Sequence, residues 1–122
     1  MLTFYEYPKC TTCRRAKAEL DALGLEYQAI DIKTNPPQAD TLREILLHSD
    51  YKLKKLFNTS GNSYRELGLK NKMDALTLDQ ALDLLAADGM LIKRPILVKD
   101  NRILQIGYRT PYADLDFGRV KK

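Results

Sequence analysis

The sequence predicts an α/β fold that runs β-α-β, then a helical block, then β-β-α. Three features carry this reading: an aromatic and β-branched run at the start, helix-period patterning directly after it, and strand character returning beyond residue 90. Leu2 to Tyr7 forms the first strand, which Pro8 stops. From Thr11 to Leu23 the period changes, with Cys13, Ala16, Leu20 and Leu23 on one face and charges on the other. Gly24 supplies the left-handed cap. Leu25 to Ile32 reads as the second strand, ended by Thr34-Asn35-Pro36-Pro37. Two strands joined by such a helix within ~30 residues should be parallel, with a right-handed crossover.

The middle is helical. Leu42, Ile45 and Leu46 mark one amphipathic segment, and Leu53, Leu56 and Phe57 mark a second before Thr59-Ser60-Gly61-Asn62 breaks the pattern. Thr77-Leu78-Asp79-Gln80 has the capping-box pattern, opening a helix with Leu78, Ala81, Leu82 and Leu85 inward and Gly89 at its end. Pro95 to Val98 and Arg102 to Ile106 then flank Asp100-Asn101, residues that tolerate the positive φ of a hairpin turn. Thr110-Pro111 reads as a cap and first helical residue, with a short helix to about Phe117.

At 122 residues, 44% hydrophobic and 30% charged, the chain fits a single domain and is not of disordered composition. It has no apolar run near the ~20 residues that span a bilayer, and no basic-then-apolar start. Two cysteines are too few for a secreted disulfide scaffold, so a cytoplasmic protein is expected; a monomer is the separate expectation for its assembly. The net charge of +4 is compatible with an anionic substrate and does not by itself indicate nucleic acid. One basic cluster, Lys9, Arg14, Arg15 and Lys17, flanks the cysteines. Lys52, Lys54 and Lys55, and Arg119, Lys121 and Lys122, read as solvated faces.

The chemistry centres on Cys10-Thr11-Thr12-Cys13, between a strand and the first turn of a helix. The first backbone N–H groups of a helix lack internal acceptors and carry partial positive charge. A thiol there ionises more readily, and the thiolate is the nucleophile. Cys10 precedes the helical turns and should be partly exposed, whereas Cys13 falls on the apolar face. An exposed attacker with a sheltered neighbour three residues on suits dithiol–disulfide exchange, with Cys13 resolving the mixed disulfide that Cys10 forms. Two other readings stand beside this one. The pair could be ordinary core cysteines, or half of a zinc site, although zinc needs four ligands and the single histidine, His48, is distant in the chain.

Tyr7-Pro8-Lys9-Cys10-Thr11-Thr12-Cys13-Arg14 and Leu91-Ile92-Lys93-Arg94-Pro95-Ile96, together with the helical block, resemble the ArsC/Spx family. The resemblance implies a thioredoxin-like fold: a four-stranded mixed sheet from about 1–35 and 90–118, with a helical insertion at about 38–88. It implies a cis bond at Arg94–Pro95, with Arg94 as a charged wall and Pro95 shaping the surface on which substrate rests. Thr11, Thr12 and Arg14 would add donors for an anion. No metal or organic cofactor is implied; electrons would come from glutathione, glutaredoxin or thioredoxin. The arsenate reductases of the family hold their oxyanion with three arginines. Here Arg94 is retained, Asn58 stands for the first, and the third falls near Tyr108-Arg109. The Spx and MgsR branch uses its cysteine pair as a redox switch. Spx contacts RNA polymerase through a glycine, where this chain has Lys52, and has a longer basic C-terminal region. The resemblance thus implies a thiol–disulfide oxidoreductase weak on arsenate, with a redox regulator that binds RNA polymerase or another protein as the alternative.

Overall fold

The computed structural model describes residues 1–115. Four strands, β1 (Leu2–Glu6), β2 (Tyr27–Asp31), β3 (Ile96–Lys99) and β4 (Arg102–Ile106), form a mixed sheet in the order β2-β1-β3-β4. β1 and β2 are parallel, connected through α1 (Thr11–Ala22). β1 with β3, and β3 with β4, are antiparallel. The hairpin turns on Asp100 and Asn101 at φ 49° and 68°, the left-handed region that short polar side chains tolerate.

Side chains alternate across the sheet and so divide the core into two layers. Leu2, Phe4 and Leu97 pack with Ala16 and Leu20 of α1 and with Tyr112. Tyr5, Ile96 and Val98 instead join the helical insert, through Leu42 and Ile45 of α2 (Ala39–Leu47) and Leu82 and Leu85 of α4 (Leu78–Ala87). The capping box opens α4 as its sequence requires. The Gln80 N–H donates to Thr77 Oγ1 at 3.1 Å, and the Thr77 N–H donates to Gln80 Oε1 at 3.0 Å.

Several boundaries differ from the sequence reading. Leu23 is exposed, because α1 ends at Ala22 and the chain turns at Leu23. Leu78 is exposed too, since it begins α4 before the helix meets the core. Leu53–Leu56 is a 3₁₀ turn and not an α-helix, although Leu56 and Phe57 are buried as their pattern suggests. Within the expected break, Asn62 opens a short helix, α3 (Asn62–Glu66). β2 begins at Tyr27, two residues later than its apolar run.

Gly89 does not cap α4. Asp88 ends that helix in extended backbone, and its Oδ1 accepts the Met90 N–H at 2.9 Å. Gly89 is there for close approach: a Cβ would lie 1.7 Å from the Ile32 carbonyl oxygen. Thr110 caps no helix either, because the side chain of buried Gln105 binds both its N–H (2.9 Å) and its carbonyl (3.2 Å). A 3₁₀ turn at Tyr112–Asp114 follows. The expected continuation to Phe117, and Arg119, Lys121 and Lys122, lie outside the described residues.

Candidate functional site

Cys10 is the N-cap residue of α1, in extended backbone at φ −83° and ψ 125°. Its N–H donates to the Tyr7 carbonyl at 2.9 Å, and its own carbonyl accepts the Arg14 N–H at 3.0 Å. Pro8 and Lys9 therefore form a tight turn that sets Cys10 at the mouth of the helix. Cys10 is half-buried, Cys13 is fully buried, and both thiols are free.

The two sulfurs occupy opposite electrostatic settings. Burial pushes the Cys10 thiol up, but it is outweighed by the Cys13 N–H, the Cys13 thiol, the Thr12 N–H and the Arg94 guanidinium. The net result is a thiol below its ordinary value. Cys13 is pushed up to about 12, chiefly by burial and then by its neighbour Cys10; the Tyr7 N–H, 3.5 Å from its sulfur, and Arg94 only partly oppose this. One thiol of the pair is therefore poised to ionise while the other keeps its proton.

Cys10 opens on a cavity of about 730 Å³. Thr12, Asn58, Arg94, Tyr108 and Arg109 share the wall with it. Arg94 is fixed by its main-chain neighbours, with Nη1 donating to the Met90 carbonyl at 3.3 Å and the guanidinium 5.4 Å from the Tyr7 ring centroid. The Arg94–Pro95 bond is cis, and Pro95 is buried. Asn58, Tyr108 and Arg109, the positions that the resemblance sets against the family's other arginines, all reach this wall.

Other residues singled out in the sequence lie elsewhere. Thr11 is exposed and does not line the cavity, nor does Pro95. The basic cluster of Lys9, Arg14, Arg15 and Lys17 is also absent from the wall. Arg14 Nε donates to the Pro8 carbonyl at 3.0 Å, Arg15 sits 5.7 Å from the Tyr108 ring centroid, and Lys17 pairs with Glu6 at 3.2 Å. With these side chains engaged elsewhere, the cations at the cavity are Lys93, Arg94 and Arg109. Among the described residues, no cluster of three or more histidine, cysteine or carboxylate side chains is arranged to hold a metal. No described helix is long and apolar enough to cross a membrane.

Two parts of the site escape sequence reading. Glu19, on α1, accepts the Tyr108 hydroxyl at 2.6 Å and the N–H groups of Tyr112 and Ala113 at 2.6 and 3.0 Å. Gln105 Oε1 accepts the Arg109 N–H at 2.7 Å. Together they hold the 107–113 segment, and with it one wall of the cavity. Their partners in this segment are four or more residues away in sequence, and Glu19 and Tyr108 are 89 residues apart.

Comparison with known proteins places this geometry in context. A sequence model of the ArsC family matches residues 5–111. The protein YusI of Bacillus subtilis (strain 168) is 49% identical over 108 residues, covering 88% of this chain and 91% of YusI. The global transcriptional regulator Spx of Listeria innocua is 32% identical over 108 residues, 88% of this chain and 80% of Spx. Among solved structures, a possible arsenate reductase from Streptococcus mutans UA159 superposes with a TM-score of 0.90 at 68% identity, covering 93% of this chain and 96% of that one. The four-stranded mixed sheet is accordingly the thioredoxin-like arrangement of ArsC-like proteins.

Proposed function

Since this chain belongs to the ArsC family, with a transcriptional regulator among its relatives, we propose that it is a thiol–disulfide oxidoreductase working through Cys10 and Cys13. The observation that carries the proposal is the contrast within the pair: a lowered, cavity-facing thiol three residues before a buried one pushed up to about 12. The Cys10 thiolate attacks one sulfur of a substrate disulfide, forming a mixed disulfide and releasing the other sulfur as a thiolate. Cys13 then loses its proton and attacks the Cys10 sulfur, expelling the second substrate thiolate. Two electrons pass from the Cys10–Cys13 dithiol to the substrate, which leaves as two thiols, and the protein is left with an intramolecular disulfide.

Once Cys10 is tied up in the mixed disulfide, the Cys10 thiolate no longer opposes ionisation of Cys13, which favours the second step. An external thiol, such as glutathione, glutaredoxin or thioredoxin, restores the dithiol. Arg94 and the N–H groups of Thr12 and Cys13 stabilise the Cys10 thiolate, and Thr12, Arg94 and Arg109 can meet an anionic substrate group. Turnover of a small disulfide coupled to reductant consumption tests the proposal. Wild type should turn over, Cys10→Ser should be inactive, and Cys13→Ser should accumulate the mixed disulfide.

The likeness to Spx favours a second reading, in which oxidation of the same pair alters binding to RNA polymerase. A pull-down with the polymerase α subunit, comparing dithiol and disulfide forms, separates the two: the regulator reading requires redox-dependent capture without turnover.

A further inference from the structure

A second cavity neighbours the one at Cys10. Lys93 and Arg109 also line this second cavity, of about 720 Å³, bordered by Lys52, Lys54 and Lys55. Across both cavities the wall carries six cations, Lys52, Lys54, Lys55, Lys93, Arg94 and Arg109, against one carboxylate, Asp50. Among the described residues, none of these six is in an ion pair, whereas Lys17 and Arg43 each have a carboxylate partner. Lysines that pass in sequence for a solvated face thus extend the wall that begins at Cys10.

A concave wall of one sign concentrates its field and raises the local concentration of oppositely charged ligands. Size narrows the choice of ligand. Sites for drug-sized molecules occupy about 300–1,000 Å³, so each cavity alone suffices for one, and two neighbours that share Lys93 and Arg109 suit an extended ligand. Chemistry narrows it further, because the wall ends on a nucleophilic thiol whose reaction needs a sulfur on the ligand. A polypeptide carries both acidic side chains and a disulfide; a nucleic acid supplies the charge without the sulfur.

We propose that the two neighbouring cavities together bind an acidic polypeptide segment, so that the preferred substrates are disulfides of cysteines in acidic sequence. The inference rests on the thiol–disulfide reading above and adds its substrate class. The exchange is the one already written: the Cys10 thiolate takes the peptide's sulfur into a mixed disulfide and expels the partner thiolate, and Cys13 then releases the peptide thiol. Acidic residues on the peptide run from the Cys10 cavity along Lys93 and Arg109 towards Lys52 and Lys54.

Three short peptides test this, each with one cysteine joined by a disulfide to thionitrobenzoate, and with glutamate-rich, serine-rich or lysine-rich flanks. Release of the chromophore by the reduced protein is measured, and each rate is divided by that peptide's rate with dithiothreitol to remove intrinsic reactivity. At low ionic strength the glutamate-rich peptide should react about tenfold or more faster than the serine-rich one, and the lysine-rich one slowest. That preference should shrink towards unity near 1 M salt, where screening acts over about 3 Å. It should also collapse in the double variant Lys52→Glu, Lys54→Glu, both exposed positions, and the ratio between peptides corrects for any general loss of activity. Equal rates for the acidic and neutral peptides at low salt would overturn the substrate class and leave the exchange reading intact. Release from no peptide would overturn both. Inhibition by oligothymidylate well below the acidic peptide's half-saturating concentration would overturn the polypeptide as occupant.

Discussion

Asn58 brings a neutral amide to the cavity at the position that the resemblance sets against an arginine of the family's arsenate reductases. Charge-assisted bonds are worth about 1.5–3 kcal/mol each, and about 1.4 kcal/mol is a factor of ten in binding. Wild type should therefore be a weak arsenate reductase, and Asn58→Arg should raise arsenate-dependent oxidation of reductant by roughly 10- to 100-fold. Efficient wild-type turnover with no gain from the arginine would refute this. Tyr112 offers a stability test at the same scale. Its ring is fully buried against α1, yet its hydroxyl has no hydrogen-bond partner among the described residues. An unpaired buried hydroxyl is destabilising, so Tyr112→Phe should raise the unfolding free energy by about 1 kcal/mol in urea titration.

At the scale of elements, the 107–113 segment is held to α1 mainly by Glu19. Burial pushes the Glu19 carboxyl up, but the Tyr108 hydroxyl and the Tyr112 and Ala113 N–H groups together hold it below the ordinary carboxylate value. A folded-state value below the unfolded one means the contact stabilises the protein above the ordinary carboxylate range and is lost as pH falls through the lowered value. Hydrogen exchange at the Tyr112 and Ala113 amides should accordingly be protected at neutral pH and lose protection in Glu19→Ala. Unchanged exchange in that variant would show that the Gln105 hydrogen bonds and the packing of Tyr112 against Ala16 and Leu20 suffice to hold the segment without Glu19. The junction of insert and sheet makes a separate demand. Gly89→Ala drives a methyl group into the Ile32 carbonyl, and should cost about 3 kcal/mol or more, measured as a lowered urea midpoint.

Across the whole molecule, what could be read from sequence was what local chemistry decides. The Asp100-Asn101 turn, the Thr77 capping box and the placement of Cys10 before α1 each depend on a few adjacent residues. The face carrying Cys13, Ala16 and Leu20 follows from helical period alone. The remainder depends on contacts between distant segments. The nearness of Arg14 and Lys17 to the cysteines in sequence suggests site cations, yet Arg14 binds the Pro8 carbonyl, Lys17 pairs with Glu6, and neither lines the cavity. The cations that do line the cavity, Lys93, Arg94 and Arg109, come from the far end of the chain, and of these Arg94 is expected through the family resemblance. Gly89 looks like a helix stop until Ile32 is seen beside it.

One asymmetry underlies the proposed chemistry: Cys10 as attacker and Cys13 as sheltered resolver. Alkylation of the reduced protein across a pH series, followed by peptide mass mapping of each cysteine, measures it directly. Cys10 should label at neutral pH and reach half its limiting rate below the ordinary thiol range, while Cys13 should stay unlabelled until strongly alkaline pH. Labelling of Cys13 as fast as Cys10, or faster, at neutral pH would contradict the assignment.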